Sequence, residues 1–164
     1  AEKFLKEKSE AFVSKKIMGK KTDEIIMPGG HLTVAQLTAM LNTIPMEITF
    51  VDEDNINRFF NEGPKDFKRP GMAIDREVFS CHPPKVEQQV RHIIGEFRKG
   101  TLDKVPIWME KNGKTMLVTY MAVRDATGTY LGTMELVQDM GFAKEHFLSD
   151  VKAKEAALRA GMED

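Results

Sequence analysis

The sequence predicts an α+β fold, with one antiparallel sheet and helices gathered on one of its faces. Three observations carry this. Runs of β-branched and aromatic residues fall in two blocks, 46–60 and 104–138, broken by short turns. Between the blocks, a stretch from Pro84 to Gly100 repeats its apolar residues at the helical period. Finally, no βαβαβ alternation occurs, and neither G-x-G-x-x-G nor G-x-x-x-x-G-K-S/T is present, so a doubly wound nucleotide fold is not expected.

The elements follow in order. Residues 2–18 form a charged stretch with Phe4, Leu5, Ala11, Phe12 and Met18 on roughly one face, predicting a helix. The basic run Lys15–Lys21 reads as its solvated end and a linker. Pro28-Gly29-Gly30 is a break. Thr33 and Gln36 have capping-box spacing, Leu32 and Leu37 the spacing of a hydrophobic staple, and Val34, Leu37, Leu41 and Ile44 form the stripe of a helix that Pro45 stops. Strands are predicted at 46–51 and 56–60 around the turn Asp52-Glu53-Asp54-Asn55. Residues 61–80 are irregular, suited to short helical turns.

Pro83 or Pro84 then opens a helix, where a missing N–H costs nothing, and Gly100 ends it. Its stripe is Val86, Val90, Ile93, Ile94 and Phe97. Three strands close the sheet: one alternating at Val105, Ile107 and Met109, one over 114–124, and one over 130–138. Asn112-Gly113 supplies the positive φ of a type I′ turn between the first two. Asp139 is placed to cap a last helix running to about Arg159. The expected organisation is an N-terminal helix and linker (1–27), a central domain (28–140) and a C-terminal helix (141–164).

Composition narrows the function. A net charge of −1, with no basic stripe, gives no reason to expect nucleic acid. No apolar run approaches the roughly 20 residues of a membrane span. The single cysteine rules out an internal disulfide framework and suits a reducing, cytoplasmic compartment. No secretory signal stands at the start, and the chain opens on Ala1, as an excerpt of a longer protein would.

The order of elements resembles a PAS domain: two early strands, short helices, a longer helix after a Pro-Pro pair and a closing three-strand meander. More closely, the chain is similar to the C-terminal PAS domain of bacterial and archaeal proteins that also carry a hemerythrin-like domain and a conserved region of unknown function. The matching residues are Gly30-His31-Leu32-Thr33 with Leu37 and 41–45, Ile48-Thr49-Phe50-Val51-Asp52, Phe67-Lys68-Arg69-Pro70, Cys81-His82-Pro83-Pro84-Lys85, Ala122-Val123-Arg124-Asp125 and Tyr130-Leu131-Gly132. Cys-His-Pro-Pro-Lys is the most specific of them. Asp139-Met140-Gly141 departs from the Asp-Ile-Thr that closes many PAS domains. The resemblance implies a five-stranded antiparallel sheet with a cavity between sheet and helix that can hold haem, flavin or a small organic ligand.

Against that frame, His82 is the candidate haem axial ligand, with Cys81 a competing or redox-switched one. The plainer reading of the pair is structural: a buried thiol and a histidine at a helix start. Counting about 100° per residue along the helix puts His92 on the solvent face, so His82 ranks above it. His31 and His146 read as surface residues of a linker and a tail helix. Val90 and Ile94 face the cavity from the helix. Trp108 and Tyr120 read first as packing and then as walls around a flat ligand. Met109, Met116, Met121 and Met134 read as core filling. No catalytic constellation is present, because adjacent Cys and His do not form a dyad, and no C-x-x-C or H-x-x-x-H announces zinc.

The expected function is that of a non-enzymatic, cytoplasmic sensory PAS domain. It would bind a small ligand or haem, form a homodimer through its flanking helices and signal to other domains of a parent protein. The alternative is a ligand-free dimerisation or protein-interaction module.

Overall fold

The computed structural model describes residues 23–63, 66–67 and 73–161. The helix expected over 2–18 and the basic run after it lie outside the described residues, as do Lys68, Arg69 and Pro70 of one matching motif. The chain divides into two compact units, residues 1–44 and 45–164.

In the first unit, β1 (Glu24–Met27) and β2 (Gly30–Thr33) form an antiparallel pair in which Ile25 faces Leu32 and Met27 faces Gly30. Residues 24–27, expected as the end of a linker, are therefore a strand. Pro28-Gly29 is the turn of a hairpin rather than a break between unrelated elements, and the Ile25-Ile26 pair supplies the β-branched chemistry. His31 sits in β2, with its Nδ1 3.2 Å from Glu24 Oε1. Helix α1 (Val34–Thr43) starts as the sequence indicates. Thr33 Oγ1 accepts the Gln36 N–H and Gln36 Oε1 accepts the Thr33 N–H, each at 3.0 Å, satisfying two amide donors that a helix start leaves open. No residue of α1 is fully buried.

The second unit carries β3 (Glu47–Asp52), β4 (Asn57–Phe60), a 3₁₀ turn (Val78–Cys81), α2 (Pro84–Lys99), β5 (Lys104–Lys111), β6 (Lys114–Arg124), β7 (Tyr130–Asp139) and α3 (Gly141–Ala160). The five strands make one antiparallel sheet in the order β4-β3-β7-β6-β5, so the last strand inserts at the centre beside the first. Asn112 and Gly113 take φ of 52° and 75°, the two-residue turn expected between β5 and β6.

Helix α2 covers the inner face of the sheet. Pro84 stands at its first position, and Gly100 ends it in the left-handed conformation at φ 75°. Val90, Ile93, Ile94 and Phe97 are buried against Val51, Met116, Val118, Tyr120 and Val137. Val86, the first member of the expected stripe, remains 39% exposed because the opening turn of the helix lies outside this core. Met116 is core and Met109 packs against it, whereas Met121 and Met134 face each other on the opposite side of the sheet, half-buried.

Helix α3 begins one residue later than a cap at Asp139 would place it. Met140 holds the cap position, and Asp139 Oδ1 accepts the Gly141 N–H at 2.9 Å from just outside. No residue of α3 is buried, and Phe142, Phe147, Val151 and Leu158 are at least half exposed. Among the described residues no helix is long and apolar enough to cross a membrane.

Candidate functional site

Alternation along a strand sends every second side chain to the same face, and directly paired residues share a face. Pairing of Thr49 with Glu135, and of Glu135 with Tyr120, therefore lays a polar row across β3, β7 and β6 on the inner face. Beside it, Val51 and Thr133 pair in the next row. These residues are the floor of a cavity of about 320 Å³.

The walls come from three elements. Val90 and Ile94 of α2 give the apolar side, and Asn57 and Phe60 come from β4. The connection into α2 supplies Arg76, Val78, Ser80, Cys81 and His82. That connection is tied to β4 through its backbone. The Asn57 N–H donates to the Arg76 carbonyl at 2.9 Å, and Val78 N–H donates to the Asn55 carbonyl at 2.8 Å. The 3₁₀ turn then bends the chain so that Cys81 and His82 reach the cavity just before Pro83.

His82 Nδ1 lies 2.8 Å from the Val78 carbonyl. A carbonyl only accepts, so Nδ1 carries the hydrogen and Nε2 keeps its lone pair in the neutral ring. Cys81 is exposed at the cavity mouth, with its sulfur 3.9 Å from Asn57 Nδ2 and 3.8 Å from Ser80 Oγ.

Five of the six expected ligand-binding residues, Cys81, His82, Val90, Ile94 and Tyr120, come together in this lining. Trp108 lies outside it, 60% exposed on β5. His92 is exposed on α2, as its helical angle indicates, and His146 stacks edge-on against Phe147 in α3. Sequence reasoning missed Thr49, Asn57, Arg76, Thr133 and Glu135. In β7 the visible alternation of Met134 and Leu136 with Thr133 and Glu135 points the apolar residues inward, the reverse of what the sheet adopts. A row of polar residues on an inward face is the signature of a lined cavity, but it becomes legible only once the face is known.

The cavity does not fit haem. His82 has the bonded Nδ1 and free Nε2 that an axial imidazole needs. Yet the cavity is at the small end of ligand pockets, and the floor beneath a porphyrin plane would be the polar Thr49, Thr133 and Glu135. Among the described residues no three His, Cys, Asp or Glu side chains come together as metal ligands.

A PAS domain family model matches residues 37–141. The chain belongs to the PAS domain family. A solved C-terminal domain from Streptococcus mutans is similar at 38% identity, over 77% of this chain and 98% of that one, with a TM-score of 0.72. The PAS domain of Bordetella pertussis BvgS shares the fold at 11% identity and a TM-score of 0.50, over 73% of this chain and 95% of that one. A PAS domain from Colwellia psychrerythraea matches at 15% identity and a TM-score of 0.48, over 66% and 97% of the two chains. No curated protein matches the sequence.

Proposed function

We propose that this PAS domain is a non-enzymatic sensory module, working in the cytoplasm, whose signal is a small organic ligand held between α2 and the sheet. The observation that carries the reading is the cavity itself. Its 320 Å³ falls at the small end of the roughly 300–1,000 Å³ typical of ligand pockets, and it combines an apolar side with a few polar groups. A ligand there touches β3, β7 and the segment leading into α2 together. It can bias the flanking helices only by binding two arrangements of those elements with different affinity.

The resemblance to PAS domains joined to a hemerythrin-like domain supports placing the chain within a larger signalling protein whose other domains receive the output. A homodimer fits the exposed apolar residues of α3, Phe147, Val151 and Leu158, which find no cover within the described residues.

The test follows the backbone amides by ¹H–¹⁵N NMR while a library of small acids, amides and phenols is titrated into the chain. Shifts centred on β3, β7 and residues 76–82 are expected, and shifts scattered over the surface alone would reject the sensor. A saturable Soret band with haemin, lost on His82→Ala, would restore haem as the ligand. Sedimentation giving a clean monomer at high concentration would remove the homodimer.

A further inference from the structure

We propose that the ligand of this cavity is a small organic monocarboxylate and that Arg76 recognises its charge. This rests on reading the cavity as a ligand site and adds the chemical class of what enters.

Arg76 lines the cavity, and its backbone is fixed on both sides. Its carbonyl accepts the Asn57 N–H, and its own N–H donates to the Ala73 carbonyl at 3.3 Å. Its guanidinium, however, holds nothing among the described residues. Arg58 pairs with Asp52 and Asp75, Arg91 with Glu87, and Arg124 with Asp103, while Arg98 donates to the Glu53 carbonyl and to Asn55. Arg76 makes no such bond among the described residues. An arginine whose backbone is held and whose fork of donors is unused, at the wall of a cavity, is suited to a planar oxyanion from outside the protein.

The remaining lining selects among anions. Apart from Arg76, only His82 among the described lining residues can carry positive charge. Two more groups await a partner. Thr49 is 8% exposed and Asn57 6% exposed, yet neither the Thr49 hydroxyl nor Asn57 Oδ1 has a hydrogen bond among the described residues. Both atoms open on the cavity, where a polar group of the ligand besides its carboxylate can reach them. Val78, Val90 and Ile94 leave its middle apolar.

The experiment uses two acid–amide pairs, 4-hydroxyphenylacetate with its amide and isovalerate with isovaleramide, titrated into the wild-type chain and Arg76→Gln by NMR. 4-Ethylphenol serves as a neutral probe of the cavity. Arg76 is exposed, so the variant should fold, and its melting curve checks this. The expected result is that at least one acid binds about tenfold or more tightly than its amide, and that Arg76→Gln removes the preference without weakening the amide. Equal binding of acid and amide, or a preference that survives in Arg76→Gln, overturns the carboxylate assignment. If the amides or 4-ethylphenol still shift the cavity residues, the sensory reading stands without it. If no probe shifts them, both fall.

Discussion

Two neighbouring rows on the inner face of one sheet do different things. Ile107, Val118 and Val137 pair across β5, β6 and β7, and the last two are 4% and 2% exposed in the dry core under α2. One step along the same strands, Tyr120, Glu135 and Thr49 pair across β6, β7 and β3 and line a cavity. Both rows lie on the same face of the same sheet and differ in their side chains. The contrast lies in the residue types at inward positions, apolar in one row and polar in the other.

The largest expected effect tests the dry side. Phe97 is 0% exposed in the cluster with Val118 and Val137. Phe97→Ala should cost about 3–5 kcal/mol of stability by denaturant titration, from lost transfer energy and an unfilled cavity. Below the transition, the variant should still bind ligands of the polar row. Equal loss of binding would mean that the two rows are not separable.

A somewhat smaller loss should come from Gly132, where β7 passes β3 beside Asp52. A Cβ there would lie 2.2 Å from the Val51 carbonyl and 2.8 Å from the Phe50 ring, at φ 157°. The nearest obstacle is backbone, so the strands must part. Gly132→Ala should cost about 3 kcal/mol and, unlike Phe97→Ala, should also weaken binding, because moving β3 from β7 splits Thr49 from Glu135. Unchanged binding at reduced stability would show that the floor tolerates a shifted register.

The dry row was the more legible of the two. Val90, Ile93, Ile94 and Phe97 declare themselves by a helical period, the Asn112-Gly113 turn by its φ requirement, and the two prolines before α2 by their missing N–H. The polar row was hidden for a physical reason. Ile48-Thr49-Phe50-Val51 is nearly continuous in apolar character, so its inward face is ambiguous. In β7 the apolar residues Met134 and Leu136 sit on the other face, so the period gives the wrong side. Arg76 lies in an irregular segment with no period at all. Cys81 and His82 were found through a motif, not a pattern, and Trp108 was misplaced because a large aromatic on an edge strand carries no sign of which face it takes.

Thr49→Val sharpens the contrast by turning one position of the polar row into the chemistry of the dry row. The Thr49 hydroxyl has no hydrogen bond among the described residues, so replacing it with a methyl should stabilise the fold by about 1 kcal/mol, seen as a raised melting temperature. Ligand binding should weaken in the same variant. A gain in stability with a loss of binding marks a position kept polar for function. A loss of both would make Thr49 an ordinary structural residue.

The smallest effect concerns the turn beyond both rows. Burial raises the Asp52 carboxyl, but the Arg58 guanidinium and the N–H groups of Ile56 and Asp54 together outweigh it and hold the group below its usual 3.8. The contacts are short: Arg58 Nε is 2.5 Å from Oδ2, and the two N–H groups are 3.0 and 2.9 Å from Oδ1. A carboxyl depressed on folding contributes stability that is complete above its unfolded pKa and is lost as pH falls through the folded one. Arg58→Gln lets the folded value rise toward the unfolded value, so less stability remains to be lost in acid. The melting temperatures of wild type and variant should therefore differ most near neutral pH and converge as pH falls below the carboxylate range. A difference that stays constant with pH would show that Arg58 acts by packing alone. Because neither Asp52 nor Arg58 is among the described lining residues of the cavity, ligand affinity at neutral pH should be the same in both proteins, and a change there would mean that the turn and the cavity floor move as one.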